Sequence, residues 1–257
     1  MLIIDKLNLF LGHKHILKNI SLKLPIKGEI IGIMGPNGSG KSSLIKSIVG
    51  EHPTNGTLTL NDQPIHHVLT DITYIPQKST LDLDFPINVE DLVLSGSYQD
   101  TGWFKPISKS VKTQRNQLLK ELKLYDLRKR QLNTLSGGQL QRVFIARALM
   151  SDSQVYLLDE PFVGIDFTSE QIIFQKLQEL KNSGKLILIV HHDLSTARDY
   201  FSRIILLNQS IMFFGDANEA LQPEHIEHVF LNRLADNSNT THGRKEHQHH
   251  VVHSTST

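Results

Sequence analysis

The sequence predicts an α/β fold on a mainly parallel β-sheet, and three observations carry that expectation. Short apolar runs of strand length alternate with helical segments through the second half of the chain. A glycine-rich stretch at residues 35–40 lies between an apolar run and a helical segment. The 257 residues, 39% of them hydrophobic, can bury one large core with a subdomain attached.

Over residues 2–24 apolar and polar positions alternate. Leu7, Leu9 and Leu11 share one face, Asn8 and Phe10 the other, and Ile20, Leu22 and Leu24 repeat the pattern, so two antiparallel strands are expected. Residues 30–34 read as a short buried strand, 35–40 as a loop, and 41–49 as a helix. Strands are expected again at 57–60 and 72–75. Between 86 and 135 the pattern becomes helical, notably over 112–124, which suggests an inserted helical subdomain. Then come a helix at 138–150, a strand at 155–158, a helix at 169–182, a strand at 186–190, a helix at 194–201 and a strand at 204–207. Residues 1–234 read as one domain with no internal repeat. Residues 235–257 hold one alanine and two valines as their apolar content and read as a flexible, histidine-rich tail.

Charge is nearly balanced, with 27 Lys+Arg against 26 Asp+Glu, so a general basic surface for nucleic acid is not expected. The chain has no cysteine, which excludes disulfides and thiolate metal sites. No apolar run approaches the roughly 18 to 20 residues needed to span a bilayer. The N-terminal segment alternates and carries Asp5, unlike a signal peptide.

Gly35-Pro36-Asn37-Gly38-Ser39-Gly40-Lys41-Ser42 fits the G-x-x-x-x-G-K-[ST] phosphate-binding loop, between an expected strand and an expected helix. Glycine leaves room for backbone N–H groups to turn onto phosphate oxygens, and the helix N-terminus adds positive potential. Lys41 would meet the β and γ phosphates of ATP, Ser42 would ligate Mg²⁺, and Ser43 follows in the same first turn of helix. The pattern arises by chance in about one chain in a hundred of this length. Downstream, the apolar run 155–158 ends in Asp159-Glu160, whose side chains point in different directions at a strand end. Asp159 is assigned to the metal and Glu160 to polarising the attacking water.

Leu135-Ser136-Gly137-Gly138-Gln139 opens a helical segment. An S-x-x-Q capping box accounts for Ser136 and Gln139 locally but leaves two consecutive glycines unexplained. Taken with the phosphate loop, Gln77 after Tyr74-Ile75-Pro76, Asp159-Glu160-Pro161, and His192 after residues 186–190, the order and spacing resemble the nucleotide-binding subunit of ATP-binding cassette (ABC) transporters over about residues 1–215. The resemblance implies a P-loop NTPase of the ABC-ATPase type, with a mainly parallel sheet core, an antiparallel β-subdomain and a helical subdomain. It implies that Gln77 senses magnesium and the membrane partner, and that Ser136, Gly137, Gly138 and Gln139 contact the γ-phosphate held by the opposite subunit. It further implies that Asp166 links the two ATP sites and that His192, rather than its neighbour His191, holds the γ-phosphate with Glu160. The aromatic residue that usually stacks on adenine is replaced by Leu11. Weak base selectivity, stacking by Phe10 after a local bulge, and a core role for Phe10 all stay open.

Tyr74-Ile75-Pro76-Gln77-Lys78, the segment 81–89, Gly96-Ser97-Tyr98, Gly102-Trp103-Phe104, and the stretches 161–166 and 191–194 resemble the manganese, zinc and iron uptake cassettes. The implied partners are a second copy of the chain, an integral membrane permease seated on residues 82–86 with Trp103 and Phe104, for which a local packing cluster is the alternative, and an extracytoplasmic metal-binding protein. The implied location is the cytoplasmic face of the membrane. Seven of the 14 histidines lie at or beyond His225, and His242, His247, His249, His250 and His253 fall in the tail. Imidazoles so spaced suit Zn²⁺ better than Mn²⁺, and a solvated tail without a specific ligand is the alternative. Two competing functions are a soluble ABC-type ATPase of a non-transport machine and a cytoplasmic metal-binding regulatory module.

Overall fold

The computed structural model describes residues 1–77, 86–98 and 107–230. The expectations placed on Lys78, residues 81–85, Trp103, Phe104 and the tail histidines therefore lie outside the described residues.

The chain opens with β1 (Leu2–Leu11), β2 (Lys14–Leu24), β3 (Glu29–Met34), α1 (Lys41–Ile48), β4 (Asn55–Leu60), β5 (Gln63–Pro64) and β6 (Ile72–Ile75). Next are α2 (Val89–Ser95), α3 (Lys109–Glu121), α4 (Gly137–Ala148), β7 (Val155–Asp159), α5 (Phe167–Asn182) and β8 (Leu186–Val190). The described chain closes with α6 (Ala197–Tyr200), β9 (Arg203–Asn208), β10 (Ser210–Asp216), α7 (Ala217–Ala220) and α8 (Pro223–Phe230). Two sheets form, an antiparallel one in the order β2-β1-β4-β5 and a six-stranded one in the order β10-β9-β3-β8-β7-β6. The larger sheet is parallel except for β10, which runs antiparallel to β9 at one edge.

Burial on both faces explains why β3, β7 and β8 are continuously apolar rather than alternating. Ile31, Ile33, Leu157, Leu188 and Val190 point towards α1 and the antiparallel sheet, whereas Ile30, Met34, Leu158, Ile187 and Ile189 point towards α2, α4 and α5. Helix starts follow local capping chemistry: Asn88, Ser108, Ser136 and Asp166 each accept a backbone N–H from the third residue of their helix. At the base of the sheet Glu29, on β3, accepts Arg203 Nε at 2.6 Å and Nη2 at 2.7 Å, a bidentate clamp to β9.

Four expectations need correction. The helix read at 112–124 runs Lys109–Glu121, because Ser108 caps it and Lys123 adopts a left-handed backbone with φ 54°. The helix read at 194–201 shrinks to Ala197–Tyr200, because Asp193 Oδ1 draws in the N–H and hydroxyl of Ser195 as a turn. Leu11 does not join Leu7 and Leu9 in the core: it is 42% exposed, beyond a register shift between Leu9 and Phe10 in the β1–β2 pairing. Phe10 is not core either; it is 49% exposed and stacks on His15 with ring centroids 4.0 Å apart. β10, α7 and α8 were not anticipated.

Arg203→Ala should leave the Glu29 carboxylate buried without its charge partner and lower unfolding free energy by about 3 kcal/mol. Urea denaturation checks this, and adding Glu29→Gln to that variant should recover part of the loss.

Candidate functional site

The functional groups collect where the parallel strands end. β3 runs into Gly35, where a Cβ would stand 2.0 Å from the Leu207 carbonyl oxygen of β9, so only glycine lets the loop leave the sheet there. Gly38 and Gly40 have φ of 75° and 102°, which coil the loop into α1. The loop is braced by Ser39 N–H on Pro36 O at 3.1 Å and by Gln209 N–H on Ser39 O at 2.8 Å. Lys41 Nζ donates to Gly35 O at 2.9 Å and Pro36 O at 3.0 Å, and so lies over the loop it follows.

β7 delivers the acids. Asp159 is 3% exposed and accepts the Ser42 hydroxyl at 2.9 Å, which joins two residues 117 positions apart in sequence. Burial holds its carboxyl above the usual range, opposed by the Ser42 hydrogen bond, while neighbouring Glu160 pushes further up. Glu160 adopts a left-handed backbone, φ 50°, with its N–H on Val190 O at 3.2 Å. That conformation costs a non-glycine residue about 1 to 2 kcal/mol and turns the carboxylate away from Asp159's direction. Gln77 Nε2, at the end of β6, donates to Glu160 Oε2 at 2.8 Å.

β8 ends in two histidines with different surroundings. His191 is 5% exposed, with a ring nitrogen 2.9 Å from Thr196 Oγ1 and the rings of Phe162, Tyr200 and Phe201 around it. Its backbone N–H bonds Ile33 O, next to the phosphate loop. His192 is exposed.

A second group forms where α4 and α5 begin. Ser136 and Gln139 complete a reciprocal capping box, with Gln139 Oε1 accepting Ser136 N–H at 3.1 Å. Gly138 rests against Asp166 and Ser169. Asp166 is exposed and caps α5 through Ser169. Sequence reasoning missed Ser169, Thr196 and the His15 ring; the Asp-x-x-Ser spacing at a helix start was the available signal for the first.

The fit to a magnesium nucleotide can be tested on these atoms. Ser39 Oγ is buried without a hydrogen-bond partner inside a glycine cradle at a helix N-terminus, which is where an anion would be met. A buried carboxylate already bonded to a loop hydroxyl is a donor set for a hard cation. The residues fit: Ser42 and Asp159 would hold magnesium, with Gln77 at its edge. Bound magnesium neutralises charge on the β and γ phosphates.

A glycine-rich loop with a lysine over it, a buried carboxylate bonded to Ser42 and a second carboxylate bonded to Gln77, all where parallel strands end, are the features of a P-loop ATPase. Residues 17–163 match the family model described as ABC transporter, and the chain belongs to that family. It is 43% identical over 232 residues to the manganese transport system ATP-binding protein MntB of Halalkalibacterium halodurans, covering 90% of this chain and 92% of that one. It is 39% identical over 233 residues to the zinc transport system ATP-binding protein TroB of Treponema pallidum, covering 90% and 87%. Among solved structures, an inward-facing metal-chelate type ABC transporter superposes with TM-score 0.77 at 26% identity, covering 89% and 88% of the two chains. A dimeric bacterial ABC transporter cassette superposes with TM-score 0.73 at 25% identity, covering 84% and 99%. No helix among the described residues is long and apolar enough to cross a membrane.

Burial, with His192 adding, pushes the His191 imidazole down to about 4 from 6.5. The unfolded chain therefore takes up this proton first as pH falls. Stability from His191 should be complete above about pH 6.5 and drain away towards about 4, by about 3 kcal/mol in all. Urea midpoints across that window should fall more steeply for the natural protein than for His191→Asn.

Proposed function

We propose that the chain is the ATP-hydrolysing subunit of an importer for a divalent metal ion, manganese or zinc, with iron as the third candidate. The observation that carries the chemistry is the Gln77–Glu160 hydrogen bond beside the Ser42–Asp159 pair. It sets a carboxylate for water next to a carboxylate for metal. The names of the relatives, at 39% to 43% identity over nine-tenths of the chain, support metal uptake.

In this reading Gly35, Pro36, Asn37, Gly38, Ser39, Gly40, Lys41, Ser42 and Ser43 cradle the triphosphate. Two copies enclose two ATP molecules, each between Lys41 of one copy and Ser136 to Gln139 of the other, with Asp166 between the sites. Glu160 takes a proton from water as its oxygen bonds the γ-phosphorus and the bridging P–O bond to ADP breaks. His192 steadies the γ-phosphate. The dimer sits peripherally on the cytoplasmic side of a membrane permease, to which an extracytoplasmic binding protein brings the ion. Nucleic acid is not a partner, in keeping with the formal charge of +1.

The tail histidines His242, His247, His249, His250 and His253 form, in this reading, a zinc-binding segment on the cytoplasmic side. Clustering of imidazole ligands, which suit a borderline cation, supports it.

Glu160→Gln should keep ATP binding, lower kcat by about 10² to 10⁴-fold and trap the dimer, as read by steady-state hydrolysis and gel filtration. The reconstituted complex should couple ATP hydrolysis to uptake of Mn²⁺ or Zn²⁺, and hydrolysis unaffected by any of Mn²⁺, Zn²⁺ or Fe²⁺ would refute metal import. Truncation after residue 234 should abolish zinc binding in calorimetry, and in the full chain that binding should weaken as pH falls through about 6.5.

A further inference from the structure

The first turns of α4 and α5 meet with no slack. A Cβ on Gly138 would lie 2.4 Å from Ser169 Oγ and 2.5 Å from Asp166 Oδ2, so a hydrogen fits there and a methyl group does not. Ser169, 1% exposed, gives its backbone N–H to Asp166 Oδ1 at 2.9 Å and its hydroxyl to Oδ2 at 2.7 Å. The backbone bond alone would cap the helix. The second bond also fixes the rotation of the carboxylate and presses Oδ2 towards Gly138. The hydroxyl is the leading reason that the Asp166 carboxyl sits below its usual range, and Arg142 of α4 contributes charge from the other side.

The capping box makes Ser136 and Gln139 rigid parts of the same turn as Gly138. Ser136 is thus joined to Gly138 within one capped turn, and Gly138 by contact to Ser169 and Asp166. This is a continuous steric and hydrogen-bonded path rather than mere proximity.

We propose that Ser169 is a positioning residue that couples the two ATP sites, by locking Asp166 against Gly138 so that engagement of Ser136 with one nucleotide moves the Asp166 loop at the other. The inference rests on the dimer reading above, in which Ser136 faces the partner's nucleotide and Asp166 lies between the two sites. Ser169 touches no substrate. Its hydroxyl acts through Asp166, and its loss slows turnover without weakening the hold of the phosphate loop on ATP.

The test uses the full chain with magnesium and ATP, comparing Ser169→Ala, Ser169→Thr, Gly138→Ala and the Gly138→Ala/Ser169→Ala double variant. The natural protein should form an ATP-dependent dimer and hydrolyse ATP with a Hill coefficient above one. Ser169→Ala should lower kcat about tenfold, leave KM for ATP within about twofold, and bring the Hill coefficient to one. Ser169→Thr, which keeps the hydroxyl, should restore kcat and cooperativity. The double variant should be no slower than the slower single variant, because both break one path. A Ser169→Ala protein that dimerises and retains natural kcat and cooperativity overturns the proposal, as does strict additivity in the double variant. If Ser169→Ala fails to fold, Gly138→Ala reads the path from its other end, and natural cooperativity there overturns it equally. A natural protein that hydrolyses ATP without dimerising overturns the dimer reading itself, a result distinguishable from the others before any variant is made.

Discussion

The architecture depends on one register. Val190 of β8 lies opposite Ile33 of β3 on one side and Asp159 of β7 on the other, and Leu158 lies opposite Ile75 of β6. Because all four strands run parallel, that register brings their ends level and sets the phosphate loop, Gln77, the two acids and the two histidines along one edge. A slip of one residue would exchange the faces of every side chain on the slipped strand. Asp159 would then turn from Ser42, and the alternate apolar residues of β7 would enter the wrong core. Chemistry and packing thus enforce the same alignment.

Most of this arrangement was legible in the sequence, for a physical reason. Strands buried on both faces need unbroken apolar runs, and the strand at 186–190 falls on the residues expected. β10 escaped because it is an edge strand of half-buried residues, Ile211 to Phe214 among them, with neither a continuous buried run nor a clean alternation. α6 was overestimated because periodicity cannot register Asp193 competing for the backbone of Ser195. At the site, residue types were readable from spacing, whereas their mutual contacts were not. Gln77 and Glu160 are 83 positions apart, and Ser169 meets Gly138 only because two helices begin side by side. Such contacts belong to the tertiary fold.

The pair His191-His192 shows how one step along a chain separates a buried side chain from an exposed one. Identical side chains at the end of β8 face opposite ways. One is enclosed by Phe162, Tyr200 and Phe201 and stays uncharged over the physiological range, while the other reaches solvent. Burial of the first anchors the segment that presents the second. The tight joint at Gly138 follows similar logic, since rigidity in a neighbour is what allows a small movement to be transmitted instead of absorbed.

The six-stranded sheet also divides the interior into two cores that share a wall but few neighbours. Adjacent residues such as Leu157 and Leu158, or Ile187 and Leu188, belong to different cores. Changes packed on opposite sides should combine with little interference. The wall is thus a firebreak: a change packed on the side bearing α2, α3 and α4 need not disturb the side that braces α1 and its phosphate loop.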